Sequence, residues 1–176
     1  MDDADILHLV LLAVRVTAGV TLALHGYQKF FLGGRIAGTA RWFESLGMKP
    51  GRFHALTAAG TEISCGLGFA VGLLTPLTAA GFVGLMFVAA WTHKGNFFVF
   101  KDGWEYNLVL AVLAVLVAVT GPGRWSLDHA LDIADDLSGG TGLLVSLAGL
   151  VAAIALLAFF WKPPAPEPAE AEPASG

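Results

Sequence analysis

Charge is the scarcest commodity in this chain. Of 176 residues only 14% are Asp, Glu, Lys or Arg, against about 25% in an ordinary soluble domain. Cysteine is nearly absent. Cys65 stands alone, so no intrachain disulfide can form and the paired-cysteine chemistry of thiol oxidoreductases is excluded within the chain. A basic excess is missing as well: the net charge of −4 argues against nucleic acid as a partner. No local spacing of His, Cys, Asp or Glu reads as a metal motif, so no metal is assigned.

What is present in abundance is hydrocarbon. Hydrophobic residues make up 56% of the chain and the mean hydropathy is +0.69. They cluster into five blocks, Ile6 to Gln28, Phe53 to Leu74, Leu77 to Trp91, Glu105 to Thr120 and Leu143 to Trp161. Blocks of roughly 17–25 apolar residues are what a bilayer requires of a spanning helix. None alternates with period two, so helices rather than barrel strands are expected to satisfy the backbone in lipid. The fold class predicted is an all-α integral membrane bundle. A cleavable leader is disfavoured, because "MDDADILH" is acidic where a basic region is required.

Three regions follow: a membrane domain over 1–135, a linker and fifth spanning helix over 136–161, and a Pro/Glu-rich tail over 162–176 expected to be disordered. Lys29, Arg35, Arg41, Lys49 and Arg52 separate the first two blocks. Lys94 and Lys101 separate the third and fourth, and Lys162 follows the fifth. Only Arg124 lies on the opposite side, with Arg15 inside block one. The positive-inside rule then puts the N-terminus outside and the C-terminus in the cytoplasm.

Smaller features refine this layout. Between blocks two and three the link is "LTP", where Thr75 is expected to cap and Pro76 to open the next helix. "IAGTARWFESLG" reads as a short interfacial amphipathic helix. Ser126 in "GPGRWSLD" is an expected N-cap for another.

Ionisable residues inside the blocks carry the functional question, because charges in hydrocarbon are costly and mark function. In block one, Arg15, Leu22, Gly26 and Lys29 fall within about 60° of one another, with His25 about 40° beyond Lys29. In block two, His54, Thr61, Cys65, Gly68 and Gly72 share an arc of about 60°, read as the packing seam against block one. Glu62 lies on its flank, and Arg15 is expected to reach toward it. His93 ends block three and Glu105 opens block four on the same side. His25, Glu62, His93 and Glu105, with Arg15 and Lys29, are therefore the candidate ligand-binding or proton-relay residues. Each has a bland alternative as a paired or interfacial group.

Such a pocket suits a quinone, whose carbonyls histidines and carboxylates could bind and protonate. Haem is the weaker cofactor, because it needs His25 and His93 facing each other at one depth. A solute carrier is disfavoured by the absence of broken-helix pairs.

Taken in order, Arg15, Gly19, "HG" at 25–26, Lys29, Glu62 followed by "GLGFAVGLLTP", His93, Glu105 and "GPGRWSLD" resemble the DoxX family over residues 6–132. The family consists of small bacterial and archaeal membrane proteins. The resemblance implies a four-helix core in a bacterial or archaeal cytoplasmic membrane. It also implies a connection to membrane oxidoreductase assemblies, among them a thiosulfate:quinone oxidoreductase subunit and others that answer thiol and oxidative stress. Most members have no established reaction, so no catalytic role is carried to any residue. The fifth block lies beyond the usual unit and suggests a site for a partner membrane or redox protein, at residues 143–161. The function expected is a membrane subunit of a redox-linked complex. The alternative is a non-catalytic scaffold or assembly subunit. Whether the chain is itself an enzyme is left open.

Overall fold

A computed structural model describes residues 2–93 and 95–163. Residues 164–176, most of the segment read as a disordered tail, and Lys94 lie outside the described residues. The described chain contains helix and no strand. Helix α1 spans Asp3–Phe31, α2 Arg35–Ser45, α3 Gly51–Val71 and α4 Thr75–Thr92. A single 3-10 turn at Val99–Lys101 precedes α5 at Glu105–Thr120. The short helices α6 (Leu127–Ala130) and α7 (Ala134–Leu137) lead into α8 at Gly139–Phe160.

The molecule is an all-α membrane bundle. Helices α1, α4 and α8 are long and apolar enough to cross a membrane. Helix α5 is apolar but has 16 residues. Helix α3 has the length, with 21 residues, but carries His54 and Glu62 buried inside the bundle. The large apolar side chains left exposed, such as Leu24, Leu144, Val151 and Phe159, are the surface that a bilayer would cover.

Successive long helices alternate in direction, as the ties of Arg124 to Asp5, Asp128 to Thr75 and Trp161 to Leu46 require. Lys29, Arg52 and Lys101 gather at one end, called here the basic end, and Asp5, Asp128, Asp135 and Asp136 at the other, the acidic end. Helix α1 packs mainly on α3. Helix α4 packs on α5 and on α8, which also touch each other, and it contacts α3, whereas α1 and α5 meet only sparsely.

The α1–α3 seam differs from the one expected. A Cβ added to Gly66 would come within 2.6 Å of the Ala23 nitrogen and the Gly19 oxygen, and one on Gly26 within 2.7 Å of the Ala59 oxygen. The seam is thus Gly19, Ala23 and Gly26 against Ala59, Gly66 and Ala70. It is rotated by about 100°, one residue, from the arc of His54, Thr61 and Cys65. That arc faces α4 instead, where a Cβ on Gly81 would sit 3.0 Å from the Cys65 Cβ and 3.4 Å from Thr61 Cγ2. Both arcs hold small residues, so helix phase alone did not separate them; the wider run of small residues takes the closer contact. Gly72 belongs to neither seam. It ends α3 in the left-handed region, at φ +67°.

Two long-range ties close the bundle. After α8, Trp161 Nε1 donates to the Leu46 oxygen at 2.9 Å and the Lys162 N–H to the Gly47 oxygen at 2.9 Å. The fifth long helix is therefore fastened to the α2–α3 connection as well as packed on α4. At the acidic end, Arg124 pairs with Asp5 across 119 positions of sequence.

Candidate functional site

The six residues singled out from sequence do not converge on one place. Lys29 Nζ lies 2.6 and 2.7 Å from the two carboxylate oxygens of Glu62. Gly26, one turn earlier on α1, permits this: a Cβ there would stand 2.9 Å from the Glu62 Cβ. The "HG" step thus brings the α1 backbone against α3, and the next turn delivers the ammonium to the carboxylate. Glu62 is 7% exposed, and an unpaired carboxylate at such a depth would be costly.

This pair borders a cavity of about 310 Å³ at the basic end, at the lower edge of ordinary ligand pockets, ~300–1,000 Å³. Helix α1 contributes His25 and Lys29, α2 contributes Trp42 and Phe43, α3 contributes Glu62, and α4 contributes Met86, Thr92 and the adjoining His93. The loop before α5 adds Asp102, and α5 adds Tyr106 and Asn107. Most of the remaining wall is apolar, with Leu22, Leu85 and Leu110.

The protonation pattern of His93 follows from its partners. Its Nδ1 lies 2.7 Å from the Ala89 carbonyl oxygen and 3.0 Å from Thr92 Oγ1. A carbonyl only accepts, so Nδ1 carries the hydrogen. In the neutral ring Nε2 is then an acceptor. His25 lies across the mouth from Tyr106, ring centroids 6.3 Å apart, and interacts electrostatically with Glu62. The cavity therefore presents an ammonium–carboxylate pair, imidazole nitrogens and a phenol within apolar walls. That set can hydrogen-bond a planar polar head and exchange protons with it.

Two expected members are elsewhere. Arg15 does not reach Glu62. It is wholly buried toward the acidic end, donating from Nη1 to the Ala70 oxygen at 3.2 Å and from Nη2 to the Trp125 oxygen at 2.6 Å. Its position four turns from Lys29 on α1 leaves Glu62 to the lysine. Glu105 turns away from the cavity and accepts the Val99 N–H at 3.0 Å, fixing the 3-10 turn.

Tyr106, Asn107, Asp102 and Trp42 were missed. Tyr106 and Asn107 stand four and three residues before Leu110, which is buried with Ala114, Val117 and Ala118. Phasing α5 by that apolar stripe would have turned both inward. Asp102 sits in a loop with φ +56°, which no helical periodicity locates.

Around Arg15 the acidic end has a different character. Asp128 is wholly buried and accepts from the Leu74 N–H at 2.6 Å, the Thr75 N–H at 2.8 Å and Thr75 Oγ1 at 2.6 Å. It lies close enough to Arg15 to interact electrostatically. Thr75 therefore does not cap α4, as its place in "LTP" suggested. Leu74 holds the cap position at φ +46°, and the capping carboxylate comes from α6, 53 residues away. Ser126 does cap α6, its Oγ accepting the His129 N–H at 3.2 Å.

Comparison with known proteins agrees with this architecture. The DoxX family model matches residues 10–95, a range that includes Arg15, His25, Lys29, Glu62 and His93. The chain is similar to uncharacterized membrane protein Rv3486 of Mycobacterium tuberculosis (strain ATCC 25618 / H37Rv), 29% identical over 132 residues, 68% of this chain and 80% of that protein. It is also similar to inner membrane protein YqjF of Escherichia coli (strain K12), 32% identical over 98 residues, 54% of this chain and 74% of that protein. No solved structure matches the chain significantly.

Proposed function

This chain belongs to the DoxX family of membrane proteins, and on that premise we propose that it is a membrane subunit of a redox-linked complex whose basic-end cavity holds a quinone or a similar apolar redox molecule. The basic end is assigned to the cytoplasm, following the excess of Lys and Arg there. The observation that carries the reading is the meeting of the Lys29–Glu62 pair, His25, His93 and Tyr106 around one mostly apolar cavity. A quinone becomes a quinol by taking up two electrons and two protons. The electrons come from a partner redox protein. The protons pass through Glu62 and His93, and Lys29 stabilises the negative charge that develops on the carbonyl oxygen.

Titration of the full chain, purified in mild detergent, with a short-chain benzoquinone tests this. Quenching of Trp42, which lines the cavity, provides the signal. Glu62→Gln and His93→Ala each weaken binding about tenfold, the worth of a hydrogen bond to a charged or buried group. Equal affinity in the wild type and both variants would sink the proposal.

A scaffold role is the second reading, and the Lys29–Glu62 pair is also what favours it. Two short hydrogen bonds satisfy both charges, as a structural pair requires.

A further inference from the structure

An apolar ligand needs a way in from the bilayer and a place for its tail. Three crevices share lining residues with the cavity, one on α3, α4 and α8, one on α4, α5 and α8, and one between α1 and α5; the last meets it at Tyr106, beside His25. The α1–α3 seam is closed by backbone contact at Gly26 and Gly66. Helices α1 and α5 meet only sparsely, and between them runs a crevice of about 370 Å³ that includes Ala13, Thr17 and Thr21 on α1 and Leu113 on α5. Tyr106 and Leu110 line both this crevice and the polar cavity. The two spaces thus adjoin at Tyr106 and Leu110, next to the point where His25 on α1 and Tyr106 on α5 face each other.

We infer that the α1–α5 crevice is a lateral portal and tail-binding groove for an amphiphile with a planar polar head and one long hydrocarbon chain. The head enters the cavity beside Tyr106, and the chain stays between the helices in contact with lipid. The portal, which rests on the reading of the cavity as a ligand site, adds the ligand's class and direction of entry. A cavity of about 310 Å³ has room for a head of one ring but not for a long chain beside it. Burial of a chain gives no hydrophobic gain over lipid, so the groove acts by shape: it lets the head seat without forcing the tail out of the membrane.

Filling the crevice tests the inference. Thr17 is exposed and Thr21 half-buried, and neither lines the cavity, so Thr17→Leu with Thr21→Leu adds bulk without touching the polar site. The full chain in lipid nanodiscs is titrated with a tail-less dimethoxy-methyl-benzoquinone and with the same head bearing a decyl chain. Wild type binds both. The filled variant loses about tenfold or more for the decyl compound, a steric cost of at least ~1.4 kcal/mol, and keeps its affinity for the tail-less head. Thr17→Ser, which fills nothing, behaves as wild type. If the filled variant binds the decyl compound as tightly as wild type does, the portal is overturned while the cavity reading stands. If wild type binds neither quinone, the cavity reading falls and the portal with it.

Discussion

Helix α1 holds two cations in opposite ways. Arg15 spends its Nη hydrogens on two backbone carbonyls, from α3 and from the segment before α6, and the nearby Asp128 caps α4 with both of its oxygens. Neither Arg15 nor Asp128 lines the basic-end cavity or the α1–α5 crevice. Lys29 instead gives its charge to another side chain, Glu62, which faces open volume beside two histidines and a tyrosine. Backbone partners cannot titrate or leave, so the acidic end is a clasp. Side-chain partners can exchange protons and be displaced, so the basic end is where chemistry has room. Intramembrane charge alone does not separate these roles; the kind of partner and the presence of space do.

Breaking the clasp has the largest effect. Asp128→Ala deprives the Leu74 and Thr75 N–H groups of their acceptor and leaves Arg15 without a nearby counter-charge. Removing one member of a buried charged network costs about 3–5 kcal/mol. The expected outcome is loss of folded protein, read as aggregation on size exclusion in mild detergent. Asp128→Asn keeps an acceptor for one of the N–H groups and lowers the unfolding temperature without abolishing the fold. Normal folding of Asp128→Ala would mean that the acidic end is not a clasp.

Gly72→Ala probes the same end less severely. The residue has φ +67°, and an added Cβ would meet both the Arg15 guanidinium and Ser126. Left-handed strain and the displaced guanidinium together cost about 1–3 kcal/mol. Thermal unfolding should show the loss, while quinone titration should be unchanged, because the site lies at the other end.

The Lys29–Glu62 pair sharpens the comparison by separating stability from binding. Lys29→Met leaves a nearly buried carboxylate unpaired. Because the lysine side chain is 24% exposed, the cost is about 1–2 kcal/mol, below that of a fully buried pair. The double variant Lys29→Met/Glu62→Met removes both charges, and such replacements are often close to neutral. It should recover the unfolding temperature and still fail to bind quinone. Recovery of both would assign the pair to the scaffold alone.

How much of this was legible without coordinates depends on the range of the interaction. The long helices follow from hydropathy, and Ser126 caps α6 as its position in "GPGRWSLD" suggests, because these are local signals. The Lys29–Glu62 contact was not read. Lys29 reads from sequence as one of the basic residues that follow block one, and Arg15 as the partner for Glu62, because the depth of a residue says nothing about the rotation of the facing helix. A phase error of one residue in α3 moved the seam from Gly66 to Cys65. Asp128 capping α4 from 53 positions away was invisible for a related reason. A side chain that caps a distant helix has no sequence spacing to betray it, and Thr75 supplied a plausible local substitute.

Tyr106→Phe is the mildest test and the most discriminating one. The ring remains, so its packing against His25 and Leu110 and the width of the portal are kept; only the hydroxyl is lost. No described residue hydrogen-bonds that hydroxyl, and the side chain is partly exposed. Stability should therefore change by less than about 0.5 kcal/mol. If the phenol donates to a quinone carbonyl, binding falls roughly threefold to tenfold, the worth of one neutral hydrogen bond, for tailed and tail-less heads alike. Arg15 admits no substitution of this kind, because every change there is felt first as instability. A residue whose loss is felt in binding and not in folding would mark the basic end as a site. Tyr106→Phe with wild-type affinity would confine Tyr106 to framing the portal, leaving His25, Lys29, Glu62 and His93 to hold the head.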